Sequence, residues 1–318
     1  MRAICTTVIR GANQYEFSGR IIEIDLTSGQ IVMAMHLPNK GQVLGPRGGS
    51  RGGRGVRVFG QKIYVAIYDR ILVYDFDWNL VSEIKHPYVV GHHEIQVDVE
   101  GVWCTTMMDS VVKLDFSGRV LFEWWGSEDD DFVAWLSINR HAWDRTENYD
   151  SYEPPAYNES YPGFQCHFNS VYCVDGKVYV YDLSHQALFA VWPRFEPLAR
   201  VPAWNRAHNV HPRGQDILVN VSGDKRFEIW RMPMGMHKFW RRKPYRTHQV
   251  VVVPGPEQST QFSRSGWVRG LIELGPQEFI VGCNPAGLHH LKDGRVVQSW
   301  PISDEVNEAV HGLTLKPC

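Results

Sequence analysis

Six residues of reactive type recur at one equivalent position along the chain: Arg54, His93, His167, His208, Arg269 and His311. Each opens a short apolar segment: RGVRVFGQKIYV, HEIQVDVEGVWC, HFNSVYCVDGKVYV, HNVHPRGQDILV, RGLIELGPQEFIV and HGLTLKPC. Neutral imidazoles brought to one depth can hold Zn, Fe, Cu or Mn, with a coordination position left for water or substrate. The two arginines place positive charge beside such an ion, and Coulomb repulsion opposes binding unless an anion lies between them. Guanidinium is the natural fork for carboxylate, sulfate or phosphate. The set therefore predicts a small anionic substrate held by Arg54 and Arg269. A divalent transition metal on His93, His167, His208 and His311 either accompanies it or does not. In the metal-free form a histidine, His167 or His311, serves as nucleophile or general acid–base with Asn169 nearby, and arginine stabilises the developing charge.

Equivalent positions imply equivalent elements. Segments such as KIYVAIYDRILVYDFDWNLVSEI (62–84) and GVWCTTMMDSVVKLDFSGRVLFEWW (101–125) alternate β-branched and aromatic residues between Asp, Asn and Gly turns, which reads as short antiparallel strands. The same grammar returns at 2–35, 176–192, 215–232 and 277–300. The gaps between ring residues are 39, 74, 41, 61 and 42 residues, so the two long ones hold one period of about 40 plus an insertion. Four antiparallel strands per period make a β-propeller blade. The expectation is an all-β, six-bladed β-propeller spanning 1–318 as one domain, with insertions near 126–165 and 233–264. The last repeat has one strand and the first segment three, so the termini share a blade and close the ring without a free edge.

Innermost strands run side by side along the axis, so the six residues form a ring. With strict alternation, Val56, Ile95, Asn169, Val210, Leu271 and Leu313 lie on the same face and form a mostly apolar floor. Gly55, Gly270 and Gly312, one residue on, suit close backbone approach. Glu94 is expected to point into its blade in a structural role. Asp69, Asp109 and His185 lie near the ends of second strands, as turn formers or as partners orienting ring histidines. His92, His211, His289 and His290 read as turn or surface residues, and Cys166 as a buried, inert thiol.

The rest of the composition excludes several classes. Basic and acidic residues number 33 and 35, so no general phosphate-tracking surface exists and nucleic acid is not an expected partner. GPRGGSRGGRG (45–55) lacks the Lys-Ser/Thr of a P-loop and precedes a strand, so it reads as a flexible lead-in to Arg54. Arg241, Arg242, Lys243 and Arg246 read as a solvated face. No run is apolar enough for a membrane helix, and no secretory signal opens the chain, which predicts a cytoplasmic protein with no membrane partner and reduced cysteines. The aromatic insertions are candidate lids or homo-oligomer interfaces.

CHFNSVYCVDGKVYVYDLSHQALFAVW (166–192) resembles the His-x-Asn-Ser segment of bacterial arylsulfotransferases, six-bladed propellers that pass a sulfuryl group through a channel histidine. The resemblance covers about one blade and carries over to His167 and Asn169, with Ser184, His185 and Gln186 behind them. The family's arginine just before that run is Leu183 here. More loosely, the His-lined axis is similar to peptidyl-hydroxyglycine lyases, with zinc on three histidines, and to carotenoid oxygenases, with iron on four. Three functions are therefore expected in turn. The first is a metal-dependent lyase, hydrolase or oxygenase acting on a small anion. The second is a nucleotide-independent sulfuryl or phosphoryl transferase, and the third a non-catalytic binding or scaffold propeller.

Overall fold

The alternating segments fold as short strands because β-branched and aromatic side chains fit a pleated, half-buried surface. The computed structural model describes residues 1–12, 16–38, 52–149, 165–231, 246–255 and 257–317. Blade 1 contains β1 (Arg2–Ile9), β2 (Phe17–Asp25) and β3 (Ile31–Pro38), and blade 2 contains β4 (Val56–Phe59), β5 (Lys62–Ala66), β6 (Ile71–Tyr74) and β7 (Leu80–Ile84). Blade 3 is β8 (Ile95–Val97), β9 (Val102–Thr105), β10 (Ser110–Leu114) and β11 (Val120–Trp125). Blade 4 is β12 (Phe168–Val174), β13 (Lys177–Asp182), β14 (Ala187–Trp192) and β15 (Glu196–Arg200). Blade 5 is β16 (Ala207–Arg213), β17 (Asp216–Val221), β18 (Arg226–Arg231) and β19 (Arg246–Val252). Blade 6 is β20 (Arg269–Gly275), β21 (Glu278–Cys283), β22 (Gly287–Lys292) and β23 (Arg295–Pro301), and β24 (Glu308–Lys316) completes blade 1. The architecture is an all-β, six-bladed propeller, as the repeat predicts.

Closure follows the predicted route. β24 pairs antiparallel with β1 from Arg2↔Lys316 to Ile9↔Glu308, ahead of β2 and β3 in the same sheet. A buried carboxylate stitches this blade. Glu308 accepts both Nε and Nη2 of Arg20 at 2.7 Å, and Thr7 Oγ1 at 2.7 Å. Burial works to raise the Glu308 pKa, but these bonds outweigh it and lower the value. Breaking such a pair from one side leaves Arg20 without its partner, so Glu308→Gln should lose about 2 kcal/mol, read as a fall in urea midpoint at unchanged slope. An unchanged midpoint would mean that the strand ladder alone closes the ring.

Between blades, the apolar faces form separate wedges. Blades 2 and 3, for example, share Ile71, Val73, Val102, Cys104, Val112 and Trp125. Each such side chain contributes roughly 1.5–3 kcal/mol on burial. The first insertion adds a helix, α1 (Asp130–Leu136). Asp129 caps it by accepting the Phe132 N–H at 2.9 Å, and Phe132 and Leu136 bury against blades 3 and 4. Residues 150–164 of that insertion lie outside the described residues. The second insertion is shorter than predicted. Arg246–Val252 is β19, the outer strand of blade 5, paired with β18. Residues 232–245, with Arg241, Arg242 and Lys243, lie outside the described residues, as do residues 45–51 of the Gly-rich stretch.

The glycines behave as the axis requires. A Cβ on Gly312 would lie 2.5 Å from the Arg54 carbonyl oxygen, and Gly270 has φ of +75° with Leu313 Cβ 2.7 Å from its would-be Cβ. Cys5, Cys104, Cys166, Cys173 and Cys283 are free thiols, and Cys318 lies outside the described residues. Among the described residues no helix is long and apolar enough to cross a membrane.

Candidate functional site

All six predicted ring residues line one cavity of about 230 Å³ at one end of the propeller axis. Each sits at or near the start of its inner strand, His311 three residues into β24, and in four blades the ladder there is irregular. The register slips between Phe168 and Ser170, between His208 and His211, and between Arg269 and Leu271. In blade 1 it slips where Thr6 faces Gly312 and Thr7 faces Val310, leaving His311 as the extra residue. In blades 2 and 3 the named strand starts only after the ring residue, at Val56 and Ile95. A bulge re-aims side chains, so ring residues can turn towards the axis while their neighbours continue into the sheet.

The histidines touch one another. Ring centroids are 4.5 Å apart for His93 and His167, 5.5 Å for His93 and His311, and 6.1 Å for His208 and His311. Backbone carbonyls orient two of them. His208 Nδ1 donates to the Arg206 carbonyl at 2.9 Å, leaving Nε2 buried with no hydrogen-bond partner. His311 Nδ1 donates to the Arg54 carbonyl at 3.2 Å. His93 differs: its Nε2 accepts from Arg54 Nη1 at 2.9 Å. Burial first, and then the guanidiniums, hold three of these imidazoles well below the ordinary histidine value. Arg54 acts on His93, Arg269 on His208, and both on His311. They are neutral bases at pH 7.

Two further arginines line the cavity, Arg10 and Arg206, and the six-residue alignment missed both. Arg10 lies in the turn just after β1 and Arg206 in a loop at φ of +51°, so neither shares the ring's register. Trp267 lies between two of the guanidiniums, with Arg10 at 4.7 Å and Arg269 at 5.7 Å from its ring centroid. Such stacking holds an arginine in place without neutralising it. Leu183 also faces the cavity, so arginine is absent where the arylsulfotransferase resemblance would put it and present at neighbouring positions instead.

The ring histidines do not meet as one metal shell. Among the described residues, the group of three or more ligand atoms lying within 4.8 Å of one another is Cys166, Asp182 and His185, not ring histidines. His93 Nε2 already accepts from Arg54, and four guanidiniums border the space. This donor set fits an anion rather than a cation.

Asn169 does not line the cavity. It is the extra residue of the β12 bulge, and its Nδ2 donates to the Ala207 carbonyl at 2.7 Å, inside the protein. Same-face alternation does not survive a bulge. Nor does the predicted apolar floor close the ring. Val56, Ile95, Val210, Leu271 and Leu313 join the wedges between blades. Beneath the ring the axis is polar instead. Glu94, predicted to point into its blade, accepts from Arg57 at 2.8 Å, Ser170 at 2.9 Å, Asn209 at 3.1 Å and His211 at 3.3 Å. It thereby links four inner strands or their lead-ins. Burial raises its pKa, but His211, Arg57 and Asn209 together bring it down to about 2.

Other histidines also depart from the sequence reading. His211 is buried and stacked on Tyr172 at 4.2 Å, and His92 and His289 are buried rather than superficial. Of these four, the half-buried His290, bonded to Glu278 at 2.8 Å, is near the surface. Glu94→Gln keeps the shape of the hub and removes its charge, leaving Arg57 without its 2.8 Å ion-pair partner. A loss of about 2–3 kcal/mol is expected on thermal melting, and an unchanged melting temperature would mark the hub as dispensable.

Comparison with known proteins agrees with the fold. A protein of unknown function from Bacteroides caccae is similar over 98% of this chain and 97% of its own, at 14% identity and a TM-score of 0.58. A protein from Lactobacillus plantarum is similar over 94% of this chain and 82% of its own, at 10% identity and a TM-score of 0.52. At these identities the likeness shows the propeller alone. No family model matches the chain, and no curated protein matches it.

Proposed function

We propose that the axial cavity is the active site of an enzyme acting on a small anionic substrate by histidine acid–base chemistry of the lyase or hydrolase type. The observation that carries this reading is the pairing of oriented, neutral imidazoles with guanidiniums in one cavity. Arg54 and Arg269 hold the anionic group, with Arg10 and Arg206 adding to the field. His208 or His311 presents Nε2 to the substrate, its other nitrogen fixed by a backbone carbonyl. The cavity of about 230 Å³ lies below the ~300–1,000 Å³ of drug-sized sites, which favours a compact substrate.

An anion in the cavity offsets the guanidinium field that depresses His208 and His311. Their affinity for protons then rises, so binding should take up protons from the buffer. Calorimetry with inorganic phosphate and with sulfate, in two buffers of different ionisation enthalpy, measures both the affinity and the uptake. Binding with uptake supports the reading. Absence of binding, or binding that persists unchanged in the Arg54→Ala/Arg269→Ala double variant, would overturn it.

A second reading has its own support. A histidine with one nitrogen anchored and the other unbonded, as in His208, is also suited to nucleophilic attack. Sulfuryl or phosphoryl transfer would then leave a covalent histidine adduct. Intact mass after incubation with 4-nitrophenyl sulfate or 4-nitrophenyl phosphate separates the two: an added sulfuryl or phosphoryl group favours transfer, and turnover without an adduct favours acid–base chemistry.

A further inference from the structure

We propose that Cys166, Asp182 and His185 form a binding site for one divalent metal ion of the zinc type, separate from the axial cavity. The three side chains offer one sulfur, one oxygen and one nitrogen within 4.8 Å of one another. Thiolate, imidazole and carboxylate are the donor types that zinc prefers, and three protein ligands leave a fourth tetrahedral position for water.

A single blade brings them together. Cys166 stands two residues before β12, Asp182 ends β13, and His185 lies in the turn to β14. The register Phe168↔Asp182 sets the start of one strand against the end of the other. The site is also held from behind. Asp182 Oδ1 accepts the His167 N–H at 2.7 Å and the Ser184 N–H at 3.0 Å, which leaves Oδ2 facing His185 Nδ1 at 2.6 Å. Asp109 Oδ1 accepts the Cys166 N–H at 3.1 Å. Outer contacts of this kind fix ligands before an ion arrives.

Charge supplies an independent argument. Asp109 and Asp182 are 1% and 0% exposed, and both flank Cys166. Among the described residues neither has a lysine or arginine ion-pair partner, and His185 is the one ionisable base on Asp182. A buried carboxylate without a cation is costly, and a divalent ion on Asp182 would provide the missing charge.

In the free site His185 Nδ1 donates its proton to Asp182 Oδ2 at 2.6 Å. On binding, the Cys166 S–H bond would break and its proton leave to water. The Nδ1 proton of His185 would also go to water and be replaced by one taken from water on Nε2, so that sulfur, Nδ1 and Asp182 Oδ2 can each bond the ion. Because Asp182 also holds the backbone of His167, the ion would brace one member of the ring from behind.

Titration with Co²⁺ alone tests the site, because a thiolate ligand produces a sulfur-to-cobalt charge-transfer band that oxygen and nitrogen ligands do not. One equivalent should give the band in the wild-type protein. Cys166→Ser should abolish it, His185→Gln should weaken binding at least tenfold, and His208→Ala should leave it intact. His185 is on a half-exposed turn, so its variant remains informative if the buried Cys166→Ser protein fails to fold. No band in the wild type, an equal band in Cys166→Ser, or a band that depends on His208 and not on His185 would each overturn the proposal.

Discussion

Replacing Arg269 by Ala is expected to weaken phosphate or sulfate binding by about 10–100-fold, the range for losing one charge-assisted hydrogen bond. With a turned-over substrate, the loss in kcat/KM should reach about 10²–10³-fold, since a fixed donor counts for more against developing charge than against a bound anion. Arg269→Lys should recover part of the binding and less of the rate, because it retains charge but not the fork. Arg54→Ala should act similarly and also releases His93 Nε2 from its 2.9 Å bond. The pH profile adds a readout that a merely structural role would not move. Arg269 lowers the pKa of both His208 and His311, so its removal raises those values and shifts the acid limb of activity to higher pH. A profile that stays in place after the substitution would show that neither histidine governs the rate.

Acidification from pH 7 towards 5 should destabilise the protein steeply. Burial depresses His92 and His289 to about 4, and burial with neighbouring guanidiniums takes His93, His208 and His311 well below the ordinary value. Unfolded, each returns to about 6.5. Between those limits the unfolded chain binds more protons than the folded one, so stability falls as pH falls. Each depressed group contributes about 1.4 kcal/mol per pH unit while the unfolded form is protonated and the folded one is not, hence roughly 2 kcal/mol apiece at pH 5 for His92 and His289. The three ring histidines act in the same direction, against the ~5–15 kcal/mol that a whole domain possesses. Asp109 opposes this trend, because burial and then Asp182 raise its pKa and make it more stable protonated, but it is one group against five. Melting temperatures measured from pH 4 to 8 should drop sharply below pH 6.5, and phosphate should blunt the drop if it occupies the ring. His92→Gln should flatten the slope by about one proton. A melting temperature constant between pH 5 and 7 would contradict the account.

The two predictions draw on features that differ in how far the sequence reveals them. The ring was legible because a repeat turns sequence distance into spatial equivalence. Arg54, His93, His167, His208, Arg269 and His311 align by period, and all six line one cavity. Arg10 and Arg206 carry no such signal, since they reach the cavity from the turn after β1 and from a loop outside the common register. Asn169 and Glu94 mark the limit of alternation. Period-two reasoning assigns a face to each residue only while the ladder is regular, and bulges interrupt it beside the ring. His211 shows the same limit, because its contact with Glu94 joins residues 117 positions apart.

By itself, the sequence determined the blade grammar, the number of repeats, the shared closing blade and the six residues nearest the mouth of the axis. These depend on local pattern and on its recurrence, both carried along the chain. Only the tertiary structure decided what lies beneath the ring, which arginines join it, and that Cys166 meets Asp182 and His185. Those outcomes depend on side-chain direction at irregular positions and on contacts made when the ring closes, and neither is written in the spacing of residue types.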